Sequence, residues 1–230
     1  MRLASLIQQF EGDYYRQYGR TCLPSHYKAL SRLKDCRSEY SPKMKLECDD
    51  CHKTDYLPHS CGHRSCPHCQ HHESQQWIEN QLKQQVKGND VLITFTVPAQ
   101  LRTLFYTHQR SLYSLMFDVI WETLHTFSQN DKQLQGTPGA IAVLHTHNRQ
   151  LGYHPHIHVI MPMAAINKKQ RLWREKSGHF LFSHNALATV YRAKLLAGIT
   201  QLGLTFLPTI PKNGWLTVKP LDKAIKPLFI

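Results

Sequence analysis

The stretch HTHNRQLGYHPHIHVIMP, residues 145–162, decides how the rest of the chain is read. Side chains alternate between the two faces of a strand, so residues two apart share a face. His156 and His158 therefore present two imidazoles side by side while Ile157 points into the core. Two neutral imidazoles fixed on one strand begin a divalent-metal site, because both are in place before the metal arrives. If one strand ends at His147 and the next begins at His154, the intervening turn pairs His147 with His154 and His145 with His156. Directly opposed residues share a face, which makes His145 the nearest third ligand and puts His147 and His154 on the same side. A slip of one residue would turn His145 away. A solvated, histidine-rich hairpin is the plain alternative, but five histidines within fourteen residues, bounded by Ala142-Val143-Leu144 and Val159-Ile160-Met161, favour a metal.

The chain has 230 residues, room for one main domain plus a small module. Lys and Arg number 28 against 16 Asp and Glu, a formal charge of +12, which points to a partner of dense negative charge. Nucleic acid ranks above a membrane, because no stretch is apolar enough to span a bilayer or to act as a secretory signal. The expectation is a cytoplasmic protein with DNA as partner and no membrane. The seven cysteines are odd in number and five lie between Cys48 and Cys69. That pattern favours metal thiolates in a reducing compartment over a disulfide scaffold.

Two CxxC pairs, Cys48-x2-Cys51 and Cys66-x2-Cys69, are spaced so that each can offer two thiolates to one tetrahedral Zn2+, and these four are the first ligand set. So small and polar a segment would draw its folding free energy from the metal. Cys61 and His63 are possible additional ligands, and with His59, His68, Cys22 or Cys36 could serve a second zinc or compete for the first. Before this segment, Leu3, Leu6, Ile7 and Phe10 have helical spacing, and Pro24 opens a second helix through Leu33. Lys28, Arg32 and Lys34 on that helix form a candidate phosphate-facing side, and Arg64 is counted with them as DNA-binding. A merely solvated face is the equal alternative.

Residues 71–87 read as a helical linker, and Val91 to Val97 as a strand stopped by Pro98. Arg102 to Phe127 reads as one long helix, Ile141–His147 and His156–Met161 as hairpin strands, and Ser183 or Asn185 can cap a helix through about Leu202. Trp215 to Val218 reads as a last strand. The fold class is therefore α+β: N-terminal helices and a small zinc-binding module over residues 1–87, then a ferredoxin-like βαββαβ antiparallel sheet over residues 88–230. In that topology the third strand, bearing His156 and His158, is central, a rigid platform for catalytic ligands.

His156-Ile157-His158 resembles the His-hydrophobe-His motif of the HUH endonucleases, and GYHPHIHVIMP is similar to the form found in rolling-circle insertion-sequence transposases of the IS91 type. Cys48-x2-Cys51 and the run from Ser60 to Gln70 resemble that family's N-terminal zinc-binding domain. LITFTVPAQLR at residues 92–102, Trp121 to Gln129 and LHTHNRQLGYHPHIHV are further similarities.

The resemblance implies a DNA transposase that nicks single-stranded ends of a mobile element. Histidine-held Mg2+ or Mn2+ would polarise the scissile phosphate while a tyrosine attacks, leaving a 5′-phosphotyrosine and a free 3′-OH. The resemblance also implies a tyrosine in a Tyr-Leu-x-Arg-Tyr-like run after the last strand. Trp215 to Val218 and Asp222 to Ala224 approach that segment, but no tyrosine follows Tyr191. The reading is an incomplete copy that keeps its metal and DNA sites without its nucleophile, which leaves enzyme activity open. Tyr191, on the second helix, is the fallback nucleophile, although it shares an apolar stripe with Leu187 and Leu195 that predicts burial; Tyr153 is a weaker candidate. Two alternatives stand beside this: a DNA-binding remnant without catalysis, and a hydrolase that activates water on zinc at His145, His156 and His158.

Overall fold

The computed structural model describes residues 3–86, 88–178, 180–205 and 215–220, and divides into two compact units at Gln85 and Val86. In the first unit α1 (Leu3–Tyr18) and α2 (Pro24–Asp35) pack together. Pro24 starts α2 where a missing N–H leaves no helical bond unmade. Tyr15 stacks on Tyr27 at 5.0 Å, and Lys34 forms an ion pair with Glu11 at 2.9 Å, tying the two helices together. A hairpin that the sequence pattern does not announce follows, β1 (Lys43–Glu47) with β2 (Thr54–Pro58), and its turn carries Cys48 and Cys51. The unit closes with α3 (His71–Gln84). None of its described helical or strand residues is buried; the buried side chains are Cys66 and Cys69. Thiols stand where an apolar core would be.

The second unit begins with β3 (Asp90–Thr96), α4 (Ala99–Thr107) and α5 (Gln109–Asn130). The single long helix expected from Arg102 is thus broken at His108, whose φ of −124° and ψ of 42° are not helical. No Pro or Gly is needed for the break. The Thr107 hydroxyl donates to the carbonyls of Thr103 and Leu104, side-chain bonding of the kind that bends helices. After β4 (Thr137–Pro138) come β5 (Ile141–His147), β6 (Tyr153–Pro162), β7 (Ala164–Asn167), β8 (Leu172–Glu175), α6 (His184–Gln201) and β9 (Leu216–Pro220). Ser183 caps α6 by accepting from the Ala186 N–H.

The main sheet has the order β5-β6-β3-β9 with every neighbouring pair antiparallel. Counting only these strands along the chain, the order is second, third, first, fourth, which is the ferredoxin-like arrangement with the third strand inside. Alternation sorts the two faces. Val91, Ile93 and Phe95 of β3 and Ile157, Val159 and Met161 of β6 are buried in the core with Leu112, Met116 and Ile120 of α5 and Leu187, Tyr191 and Leu195 of α6. Each such burial is worth roughly 1.5–3 kcal/mol. Gly198 lets α5 and α6 meet closely, since a Cβ there would lie 2.5 Å from Leu115 Cδ1. A second small sheet, β4-β7-β8, lies outside the expected topology.

Candidate metal centres and DNA-facing residues

Thr94 and Thr96 of β3 stand opposite His158 and His156 of β6, and His145 of β5 stands opposite His156. All five are half-exposed and occupy the sheet face away from the buried Phe95 and Ile157. Coordinating atoms of His145, His156 and His158 lie within 4.8 Å of one another. The register between β5 and β6 shifts beyond His145, so that His147 pairs with Tyr153 rather than with His154. The expectation for His147 is thereby corrected: the irregularity places one residue more on β6 than on β5 and breaks the simple hairpin count.

The histidines are prepared as ligands. His156 Nδ1 is 2.6 Å from the His154 carbonyl, which can only accept, so Nδ1 carries a proton and Nε2 is the nitrogen available to a metal. His158 Nδ1 pairs with the Thr94 hydroxyl at 2.9 Å. Burial, then the neighbouring charges of His145 and His156, push His158 down to about 4, and burial lowers His145 as well. Both rings therefore stay neutral, the form a metal takes.

The second convergent group is Cys36, Cys61, Cys66 and Cys69, again within 4.8 Å. Cys36 Sγ is 3.5 Å from Cys66 Sγ and 3.4 Å from Cys69 Sγ, close to the spacing of about 3.8 Å that four thiolates adopt around tetrahedral zinc. Burial pushes Cys69 up, but the Ser60 hydroxyl and the Cys61 N–H bring it down to about 6, while burial holds Cys36 well above the usual thiol range. The set fits a structural zinc. It differs from the one read from spacing: Cys48 and Cys51 are exposed in the β1–β2 turn, and Cys36 and Cys61 take their places beside Cys66 and Cys69. His63 is not in the group, and its Nδ1 accepts instead from the Ser65 N–H.

Tyr191 is fully buried, its ring 4.9 Å from Phe95 and 6.0 Å from Trp215. Phe95 points to the helix side of β3, so Tyr191 lies across the sheet from the histidine face and is a core residue, not a nucleophile poised at that face. Burial alone holds its phenol far above the usual range. The Tyr153 hydroxyl is bonded to that of Tyr113 at 2.7 Å and its phenol is likewise raised. Among the basic candidates Lys28, Arg32 and Arg64 are exposed, whereas Lys34 is engaged by Glu11 and so is not a free phosphate contact.

Two family models match this chain, a transposase zinc-binding domain over residues 6–97 and a putative transposase over residues 139–210. Both stretches are thus similar to transposase domains, the first of them to the zinc-binding domain of IS91-type transposases. A putative transposase y4qJ from Sinorhizobium fredii is 26% identical over 191 residues, which is 80% of this chain and 48% of that one. The transposase for insertion sequence element IS801 from Pseudomonas savastanoi pv. phaseolicola is 29% identical over 129 residues, 56% of this chain and 30% of that one. The chain thus spans about half the length of the first relative. Among solved structures it is similar to TrwC complexed with a 27-mer DNA comprising the recognition hairpin and the cleavage site, with a TM-score of 0.42, 16% identity, and coverage of 53% of this chain and 48% of that one. Among the described residues no helix is long and apolar enough to cross a membrane.

Proposed function

We propose that this chain is a transposase of IS91 type, binds single-stranded DNA at the ends of a mobile element and presents a scissile phosphate to a histidine-held divalent ion. Residues 88–230 would form the HUH-type catalytic core and residues 1–87 a zinc-binding module that grips phosphates through Lys28, Arg32 and Arg64. The observation that carries the reading is the convergence of His145, His156 and His158 on the half-exposed face of the sheet. His145, His156 and His158 would hold the ion, which would supply charge neutralisation at the phosphoryl oxygens. The chain's own residues do the rest. The His154 carbonyl fixes the tautomer of His156, Thr94 orients His158, and β6, held between β5 and β3, keeps the two rings rigid. Three nitrogen donors without a carboxylate favour Mn2+ over Mg2+. The attacking hydroxyl would have to reach the histidine face, and the burial of Tyr191 against Phe95 in the core speaks against its taking that role.

The test is incubation with Mn2+ and a labelled single-stranded oligonucleotide, followed by denaturing electrophoresis and mass spectrometry. A covalent adduct names the nucleophile. Mn2+-dependent binding without cleavage, abolished in His156→Ala, supports a DNA-binding chain that lacks its nucleophile. Cleavage without an adduct supports water activation at the same ligands. Binding that is indifferent to Mn2+ and to His156→Ala removes the metal from the reading. For the zinc, Cys36→Ser should lose the bound ion while Cys48→Ser keeps it, measured by elemental analysis.

A further inference from the structure

The β7–β8 ribbon is the feature that this reading leaves without a role. It is anchored from base to turn: Lys176 is paired with Asp131, Arg174 Nη1 donates to Gln135 Oε1 at 2.6 Å, and Asn167 Nδ2, beside the turn, donates to the Gln135 carbonyl at 2.9 Å. Gly136 permits this close seat, since a Cβ there would be 2.8 Å from the Ile166 carbonyl. The tip is ordered by the Gln170 N–H bonded to Asn167 Oδ1 and by Arg171 in the left-handed region at φ 53°.

What the ribbon presents is basic and apolar at once. Lys168, Lys169 and Arg171 at the tip are exposed, none is in an ion pair among the described residues, and no acid occurs in the sequence between Asp131 and Glu175. Ile166 and Trp173 stand opposite each other on one face, 50% and 41% exposed. Glu175 accepts from Trp173 Nε1 at 2.9 Å, which holds the indole in place. A fixed, exposed aromatic beside three unpaired cations suits a flexible polyanion with flat bases, because any base can stack while phosphates meet the cations.

We infer that the β7–β8 ribbon is a second contact for single-stranded DNA, with a base stacked on Trp173 and phosphates held by Lys168, Lys169 and Arg171. This rests on the DNA-binding reading above. The experiment is fluorescence anisotropy of a labelled oligothymidylate with the full zinc-loaded chain over a range of salt. Combined Lys168→Gln, Lys169→Gln and Arg171→Gln should lower the salt slope by about 2, and Trp173→Ala should weaken binding about tenfold while Trp173→Phe keeps most of it. In the unmodified chain DNA should quench tryptophan fluorescence, and Trp173→Phe should abolish most of that quench, a readout independent of the alanine variant's stability. Unchanged slope, affinity and quench would overturn the inference although the unmodified chain binds DNA. A loss confined to duplex hairpin DNA would also overturn it. An unmodified chain that binds no single strand defeats the parent reading and this one together.

Discussion

The hydroxyl of Tyr191 has no hydrogen-bond partner among the described residues and is shut away from water. A buried polar group left unpaired costs about 1–3 kcal/mol. Tyr191→Phe keeps the ring contacts with Phe95 and Trp215 and removes that cost. Urea unfolding should show equal or greater stability, by up to about 1 kcal/mol, with no change in any DNA chemistry. Loss of strand cleavage in that variant would return Tyr191 to the site. At this scale the histidines were legible because a strand's period is local: residues 156 and 158 fix the face, and 145 follows from pairing. The thiol set was legible only in part, with Cys66 and Cys69 read as ligands and Cys61 and Cys36 left among the alternatives. Spacing tells which cysteines travel in pairs but not which pairs converge, and Cys36 lies thirty positions before Cys66, its neighbour in space.

The elements that the sequence hid are the short ones. β4 has two residues and β7 and β8 four each, too few to show an alternation, and the partners of β7 lie on both sides of it in the chain. By contrast β3 alternates over seven residues and was plain. What pins the small sheet is Asp131, just past α5. Burial raises its carboxyl, but the Lys176 ammonium and the N–H groups of Gln133 and Leu134 outweigh this and hold it below the usual carboxylate range. A carboxyl depressed in the fold stabilises above its unfolded pKa, and the contribution is lost as pH falls through the folded value. Asp131→Asn should therefore cost about 1–3 kcal/mol at pH 7, and the gap to the unmodified chain should narrow below about pH 4 in denaturant titrations.

Across the whole chain the two units are built on different physics. The second has a continuous apolar core, while the first is held around thiols and exposes Leu3, Phe10, Leu46 and Trp77. Chelation should melt only the first, so calorimetry with EDTA should lose one transition and keep the other, the retained one belonging to residues 86–220. A single unchanged transition would contradict that division.

On β3 and β6 the side chains of the histidine-bearing face are half-exposed, and β5, which carries His145, is an edge strand. A site laid out on a surface beside an edge, unlike a tunnel, has no entrance through which a polymer end must be fed. An interior stretch of a long strand can be laid down sideways and lifted off again without a terminus. Covalently closed single-stranded circles should accordingly compete for binding as well as linear strands of the same length and sequence, and a strong preference for free ends would show that the strand is threaded instead.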